Sequence, residues 1–263
     1  MDEVYHTTKM NTETPLVRRL QHRYIAGAAA ILPFGPLLYV QGQITRWKVG
    51  LLPNAAGETH GMAGSGGETI RLLVIGESTV AGLGARDHEH ALAGRFAHFM
   101  SASTRRAVEW HVIGLNGVTA RRTIDELVPQ VPDISFDYVL LGIGGNDVMK
   151  LSSPRKWRHD MAELIEIMRG RPSHPKVLIS NCPMIILSPV LPEPVKSILW
   201  RISRMHDENM RELAAGLDGV HYYPQPVGID LEGFFADGIH PSERGYSEWA
   251  EAMTEEFRAQ GAW

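Results

Sequence analysis

Three short apolar runs, at residues 70–75, 108–113 and 138–141, each break into a glycine-rich polar loop, at 76–84, 114–119 and 142–147. The Val-, Ile- and Leu-rich runs at 70–75 and 138–141 predict strands buried on both faces, and 108–113, where Glu109 and His111 interrupt the apolar residues, also reads as a strand. Two further runs, at 177–180 and 220–223, read the same way. Between them lie segments with helical spacing. Trp157, Met161, Leu164, Ile165 and Met168 make one stripe, and Tyr246, Trp249, Ala250, Met253 and Phe257 another, in a last helix that Pro241 is expected to open. Helices are also predicted over 91–100, 120–127 and 199–217. Strands alternating with amphipathic helices predict an α/β fold with a parallel sheet covered on both faces. Right-handed crossovers then put every strand-to-helix loop at one edge of the sheet. Three polar, glycine-rich loops meeting at one edge predict a functional site there.

Composition narrows the chemistry. Among 263 residues, 26 Lys+Arg stand against 30 Asp+Glu, so there is no basic excess for a nucleic-acid partner. One cysteine, Cys182, excludes an intrachain disulfide and a thiolate metal cluster; it reads as a small buried hydrophobe. His88 and His90 offer two metal ligands but no third at a ligand spacing, so no metal and no cofactor are expected. Arg121 and Arg122 read as a solvated helix face or as contacts to an anionic substrate group, and Asp147 as a brace for its own loop.

The first seventy residues differ in kind. Residues 24–45 carry no charge and lie between Arg23 and Arg46. Their length approaches a membrane span, but Gly27, Pro33, Gly35 and Pro36 interrupt it. Three readings stay open: contact with or insertion into a membrane, packing on the protein's own body, and a removed export signal. In the second, a helix runs to about Ile31, followed by a proline-kinked turn and another apolar segment. Membrane-associated, exported and cytoplasmic locations are all compatible with these readings. Residues 52–69, rich in glycine, read as a mobile or extended connector. An N-terminal extension over 1–69 and a main domain over 70–263 are therefore expected.

Four blocks carry a resemblance. GESTVAGLGA at 76–85 resembles the first block of the SGNH/GDSL hydrolases, with Glu77 where that family usually has Asp. GLNGVTA at 114–120 is similar to its glycine block, GGND at 144–147 to its asparagine block, and DGIHP at 237–241 to its terminal Asp-x-x-His block. The first 70 residues lie outside the resemblance. It implies a flavodoxin-like three-layer sandwich with a five-stranded parallel sheet, acting on esters and related acyl substrates. It also implies Ser78 as nucleophile, His240 as general base and Asp237 as the group that orients it. The oxyanion hole would be the backbone N–H of Ser78, the backbone N–H of Gly117 and the side-chain amide of Asn146. The expected activity is that of a serine esterase working through an acyl-enzyme on a small-molecule ester. A thioesterase, a lysophospholipase and a carbohydrate deacetylase would use the same site. Two departures stand out. Val80 breaks the G-x-S-x-G pattern of α/β-hydrolases, and Ala120 stands where many relatives carry a second glycine.

Elementary chemistry supports these assignments. A serine hydroxyl becomes a useful nucleophile when an imidazole takes its proton, and a carboxylate fixes the imidazole's tautomer. Asp237 and His240 are three residues apart, so a single turn can join them. Glycine at 117 exposes its N–H, and asparagine at 146 donates without titrating. Apolar, proline-punctuated residues 183–200 are expected to line the acyl or leaving-group side through Met184, Ile185, Ile186, Val190, Leu191 and Trp200, with plain packing as the alternative. A rival of another class is a flavodoxin-like module whose first loop cradles a phosphate or flavin phosphate. That rival gives Asp237 and His240 no role.

Overall fold

In the computed structural model, which describes residues 12–50, 52–227 and 232–263, the apolar runs form one sheet. Strands β1 (His60–Ala63), β2 (Ile70–Gly76), β3 (Val108–Gly114), β4 (Tyr138–Gly142), β5 (Lys176–Ile179) and β6 (Val220–Tyr222) lie in the order β1-β3-β2-β4-β5-β6. The last five pair in parallel. Their order is the doubly wound one, in which the chain reverses direction between β3 and β4 with β2 at the centre.

The sheet is six-stranded and mixed, which corrects the expected five parallel strands. The extra strand is β1, antiparallel to β3 with His60 opposite His111 and Ala63 opposite Val108. It comes from the segment expected to be a connector. Four residues reading HGMA have no β-branched content, and their pairing with β3 supplies what local propensity does not.

Side-chain alternation along β2 builds two cores. Leu73 and Ile75 face Val139, Leu141, Val177 and Ile179, under helices α6 (Pro154–Arg169) and α7 (Val195–Ala215). Leu72 and Val74 face the other way, onto Phe96, Met100, Tyr246 and Phe257 of α3 (Leu92–Thr104) and α8 (Glu243–Ala259). All four β2 residues are fully buried, and each contributes roughly 1.5–3 kcal/mol of hydrophobic stabilisation.

Helix boundaries follow capping chemistry. The Ser153 hydroxyl accepts from Lys156 N–H, with Pro154 in the first turn of α6. Ser242 caps α8 by accepting from Gly245 N–H at 3.1 Å, so α8 begins after Pro241. Pro241 instead bridges Phe235, which corrects its expected place as the opening helical residue. The helix expected over 120–127 is α4 (Ala120–Arg122) continued by a wider π turn, Thr123–Leu127, with Pro129 in the turn that follows. Between β4 and α6 lies the short helix α5 (Gly145–Met149).

The N-terminal residues form α1 (Pro15–Ile31), a 3-10 turn over Leu32–Phe34 that holds Pro33, and α2 (Gly35–Val49). Thr14 caps α1, accepting from Val17 N–H and donating to Glu212 Oε2 at 2.7 Å. Val17 and Leu20 are fully buried, and α1 packs against α6 and α7. From Pro15 to Ile44 the helical run is long and apolar enough to cross a membrane.

Candidate active site

Strands β3, β2 and β4 end level, with Gly76 paired to both Gly114 and Gly142. A Cβ on Gly76 would run into the Gly142 carbonyl, and one on Gly114 into the backbone of Ala81. Only glycine lets the chain after β2 fold back across its neighbours at this height. The loop then closes on itself: Val80 and Ala81 N–H donate to the Glu77 carbonyl and Leu83 N–H to that of Ser78. Tyr246 Oη, on α8, donates to the Leu83 carbonyl at 2.7 Å. Ser78 is thereby fixed, buried at 7% exposure, at the carboxyl edge of the central strand.

The turn before α8 brings two more groups. Asp237 Oδ1 accepts from the N–H groups of Ile239 and His240, at 2.9 and 2.7 Å, and Oδ2 lies 2.8 Å from His240 Nδ1. A carboxylate only accepts, so Nδ1 carries the proton and Nε2 is left as an acceptor. His240 Nε2 lies 3.1 Å from Ser78 Oγ. The chain from carboxylate through imidazole to hydroxyl is continuous. Burial alone would raise the Asp237 carboxyl, but the hydrogen bonds from the His240 ring, His240 N–H and Ile239 N–H outweigh it and hold the group below its usual range.

The loop after β4 attaches to the residue beside the serine. Glu77 Oε1 accepts from Gly145 N–H at 2.7 Å, and Oε2 from Asn146 N–H and Asn146 Nδ2 at 2.8 and 2.5 Å. The Asn146 amide keeps a second N–H. Burial pushes the Glu77 carboxyl up to about 7 despite these donors, with the nearby Asp147 adding to the rise. Asp147 accepts from Ala120 N–H at 2.9 Å and from Ser152 Oγ at 3.3 Å, and burial raises it to about 6. The asparagine loop therefore grips the serine loop through Glu77 and the glycine loop through Asp147.

Gly117 has φ +83°, with nothing within 4 Å of where a side chain would start. Among the described residues, no hydrogen bond takes up the N–H of Ser78 or of Gly117. The Gly117 carbonyl accepts from Lys150 Nζ at 2.9 Å and from Arg122 Nη1 at 3.2 Å. Sequence reasoning passed over Lys150, and nothing in its local sequence signals that contact.

The remaining candidates divide. Ile185 and Leu191 are buried in a cluster with Val148, Leu199 and Ile202, while Trp200 packs partly against it, with the Arg204 guanidinium 5.7 Å from its ring. Ile186 and Val190 are exposed and Met184 is half-buried. Ser188 Oγ donates to the Gly238 carbonyl at 2.7 Å, which ties this loop to the Asp237–His240 turn. Arg121 pairs with Asp125 and Glu163, and Arg122 with Glu126. His90 pairs with Asp87 and Arg86. Cys182 is buried, and burial raises its thiol far above the ordinary range.

The family model of the GDSL-like Lipase/Acylhydrolase family matches residues 74–247. The chain belongs to that family. It is a carboxylic-ester-hydrolysing enzyme of the SGNH/GDSL type. The family fold recurs in solved structures of low identity. TesA is 20% identical with a TM-score of 0.56, covering 72% of this chain and 98% of that one. The family 3 carbohydrate esterase of Clostridium thermocellum is 15% identical with a TM-score of 0.56, covering 73% and 97%. An extracellular lipase of Streptomyces rimosus is 14% identical with a TM-score of 0.50, covering 71% and 98%. No curated protein sequence matches the chain. The phosphate-cradle alternative does not fit: the family is hydrolytic, and the N–H groups of Val80, Ala81 and Gly82 in that loop donate to the Glu77 and Thr79 carbonyls.

Proposed function

We propose that the chain is a serine esterase that hydrolyses carboxylic esters through an acyl-enzyme. The observation that carries this is the unbroken Asp237–His240–Ser78 hydrogen-bonded chain, whose last link joins residues 162 apart in sequence. Ser78 Oγ attacks the acyl carbonyl carbon as His240 Nε2 takes its proton. Asp237 holds the ring in the Nδ1–H tautomer and stabilises the imidazolium that forms. The negative oxygen of the tetrahedral intermediate is met by the N–H groups of Ser78 and Gly117 and by the second N–H of Asn146 Nδ2. His240 then gives its proton to the leaving alkoxide, and the acyl group stays on Ser78. A water activated by the same Nε2 releases the acid and restores Ser78. Ile186 and Val190 flank the acyl side, with Ile185 and Leu191 packed behind them. Residues 24–45 contact a membrane surface.

A fluorophosphonate probe tests this reading. Wild type is labelled once and loses ester hydrolysis in step, and Ser78→Ala takes up no label. Equal labelling of Ser78→Ala would overturn it.

A further inference from the structure

Among the described residues, most of the exposed large apolar side chains lie on the N-terminal helices or on the loops around Ser78; Met62, Ile134 and Val227 are the exceptions. Ile25, Leu32, Phe34, Leu37, Val40 and Ile44 of α1, the linking turn and α2 are 49–77% exposed. The opposite stripe, Val17, Leu20, Tyr24, Ile31 and Leu38, is buried or half-buried. A helix that is apolar all round is stable when it is covered all round, and here only one side is covered. At the mouth of the site, Leu115, Met149, Leu151, Ile186 and Val190 are 37–48% exposed. They belong to three different loops at the carboxyl edge of the sheet.

Two hydrogen bonds join these groups into one surface. Tyr24 Oη donates to the Leu151 carbonyl at 2.7 Å, just beyond α5, which carries Asn146. Gln41 Nε2 donates to the Glu193 carbonyl at 2.8 Å, at the end of the loop that Ser188 ties to Gly238. The helix is thus fastened at both points to the loops that flank the site. The same contacts decide between crossing and lying along a bilayer. Residues 24 and 41 are about 25 Å apart at 1.5 Å per residue, so a crossing would set them toward opposite faces. Both rest on the catalytic body instead.

We propose that this surface docks, lying flat, on an anionic lipid bilayer, and that the enzyme takes from it an amphiphile whose ester carbonyl sits at the headgroup boundary. The proposal rests on the esterase reading of Ser78 and adds the source and class of its substrate. Charge fits the occupant. Arg18, Arg19 and Arg23 precede the uncharged stretch, all three exposed, with Arg19 and Arg23 only 3.6 and 3.9 Å from a shared Glu208. Lys150 adds an exposed cation between Met149 and Leu151 at the rim. Cations beside an apolar face that sinks into the headgroup layer are the pattern of an interfacial helix. The site mouth then opens at the depth where ester carbonyls lie, and an acyl chain moves along the apolar rim without passing through water.

The test uses the full chain with vesicles of equal parts phosphatidylcholine and phosphatidylglycerol. Sedimentation with the vesicles measures docking. Hydrolysis of p-nitrophenyl palmitate carried in them is compared with hydrolysis of p-nitrophenyl acetate in solution. Wild type sediments with the vesicles. Leu32→Ser/Leu37→Ser, on the free face, weakens that binding at least about tenfold and lowers the palmitate rate alongside, with the acetate rate unchanged. Met149→Ser, at the rim, lowers palmitate hydrolysis more than acetate hydrolysis. Wild type that stays in the supernatant, or a chain whose double variant converts from dimer to monomer with no vesicle binding in either, overturns the proposal. So does a double variant that cleaves palmitate in vesicles as fast as wild type. Loss of acetate hydrolysis in wild type would instead count against the esterase reading, and sedimentation would still decide docking.

Discussion

The Asp237–His240 turn and the Glu77–Asn146 junction each give a carboxylate three N–H donors, yet the two groups shift in opposite directions. Asp237 receives two backbone N–H groups and the Nδ1–H of the His240 imidazole, and it is held low. Glu77 receives two backbone N–H groups and a neutral amide, is more deeply buried, has Asp147 nearby, and rises to about 7. Hydrogen-bond number is the same, so burial and neighbouring charge decide the direction. In the proposed mechanism the first carboxylate serves a proton transfer, while the second, bonded to Gly145 and Asn146, sets the position of a donor.

The largest expected effect comes from the first. Asp237→Asn keeps an acceptor for the turn but no longer fixes the Nδ1–H tautomer, and kcat falls by about 10³–10⁴-fold with the fold retained by circular dichroism. Asn146→Ala removes one oxyanion donor, and kcat falls by about 10²–10³-fold with KM little changed. Steady-state kinetics on a short p-nitrophenyl ester check both. A smaller loss for Asp237→Asn than for Asn146→Ala would break the contrast between the two regions.

Glu77→Gln places an NH₂ where two donors converge, and it destabilises the fold by about 1–3 kcal/mol through a lost acceptor. The pH dependence sharpens the comparison. A carboxyl raised from 4.5 to about 7 in the folded state binds a proton that the unfolded chain has lost. Its contribution is therefore fully present below pH 4.5 and is lost as pH rises through 7. Wild type loses on the order of 3 kcal/mol across that window relative to Glu77→Gln. Urea unfolding at pH 4.5 and pH 8 should show the cost of Glu77→Gln shrinking with pH, and a cost that grows would contradict the burial account. Asp237, held low, has the opposite sign: its contribution is present above the unfolded value and is lost as pH falls through the folded one. The smallest effect is at Lys150→Met. Arg122 still reaches the Gly117 carbonyl, so kcat changes by less than about threefold.

What could be read from the sequence follows the range of the forces involved. β2 and β4 are continuous apolar runs whose burial is written locally, and Ser78, Asp237 and His240 sit in blocks with their own turn chemistry. β1 is not written locally, because His60–Ala63 becomes a strand through its partner β3. The same holds for Pro241, where the cap passes to Ser242 because the Phe235 bridge holds the proline outside the helix. The six apolar residues expected around the acyl group share one composition, and only tertiary packing separates Ile185 and Leu191, turned inward, from Ile186 and Val190, turned out. The grip of Asp147 on Ala120 depends on the loops after β3 and β4 closing over the central strand between them, which sheet order decides and spacing along the chain does not.

The acyl-enzyme on Ser78 is the central claim, and rapid acid quench during turnover of a slowly deacylating p-nitrophenyl ester, followed by peptide mass spectrometry, tests it most directly. A single acyl adduct on the peptide holding Ser78, absent from Ser78→Ala together with the burst of p-nitrophenol, is the expected result. Turnover of that ester by Ser78→Ala at the wild-type rate would contradict it.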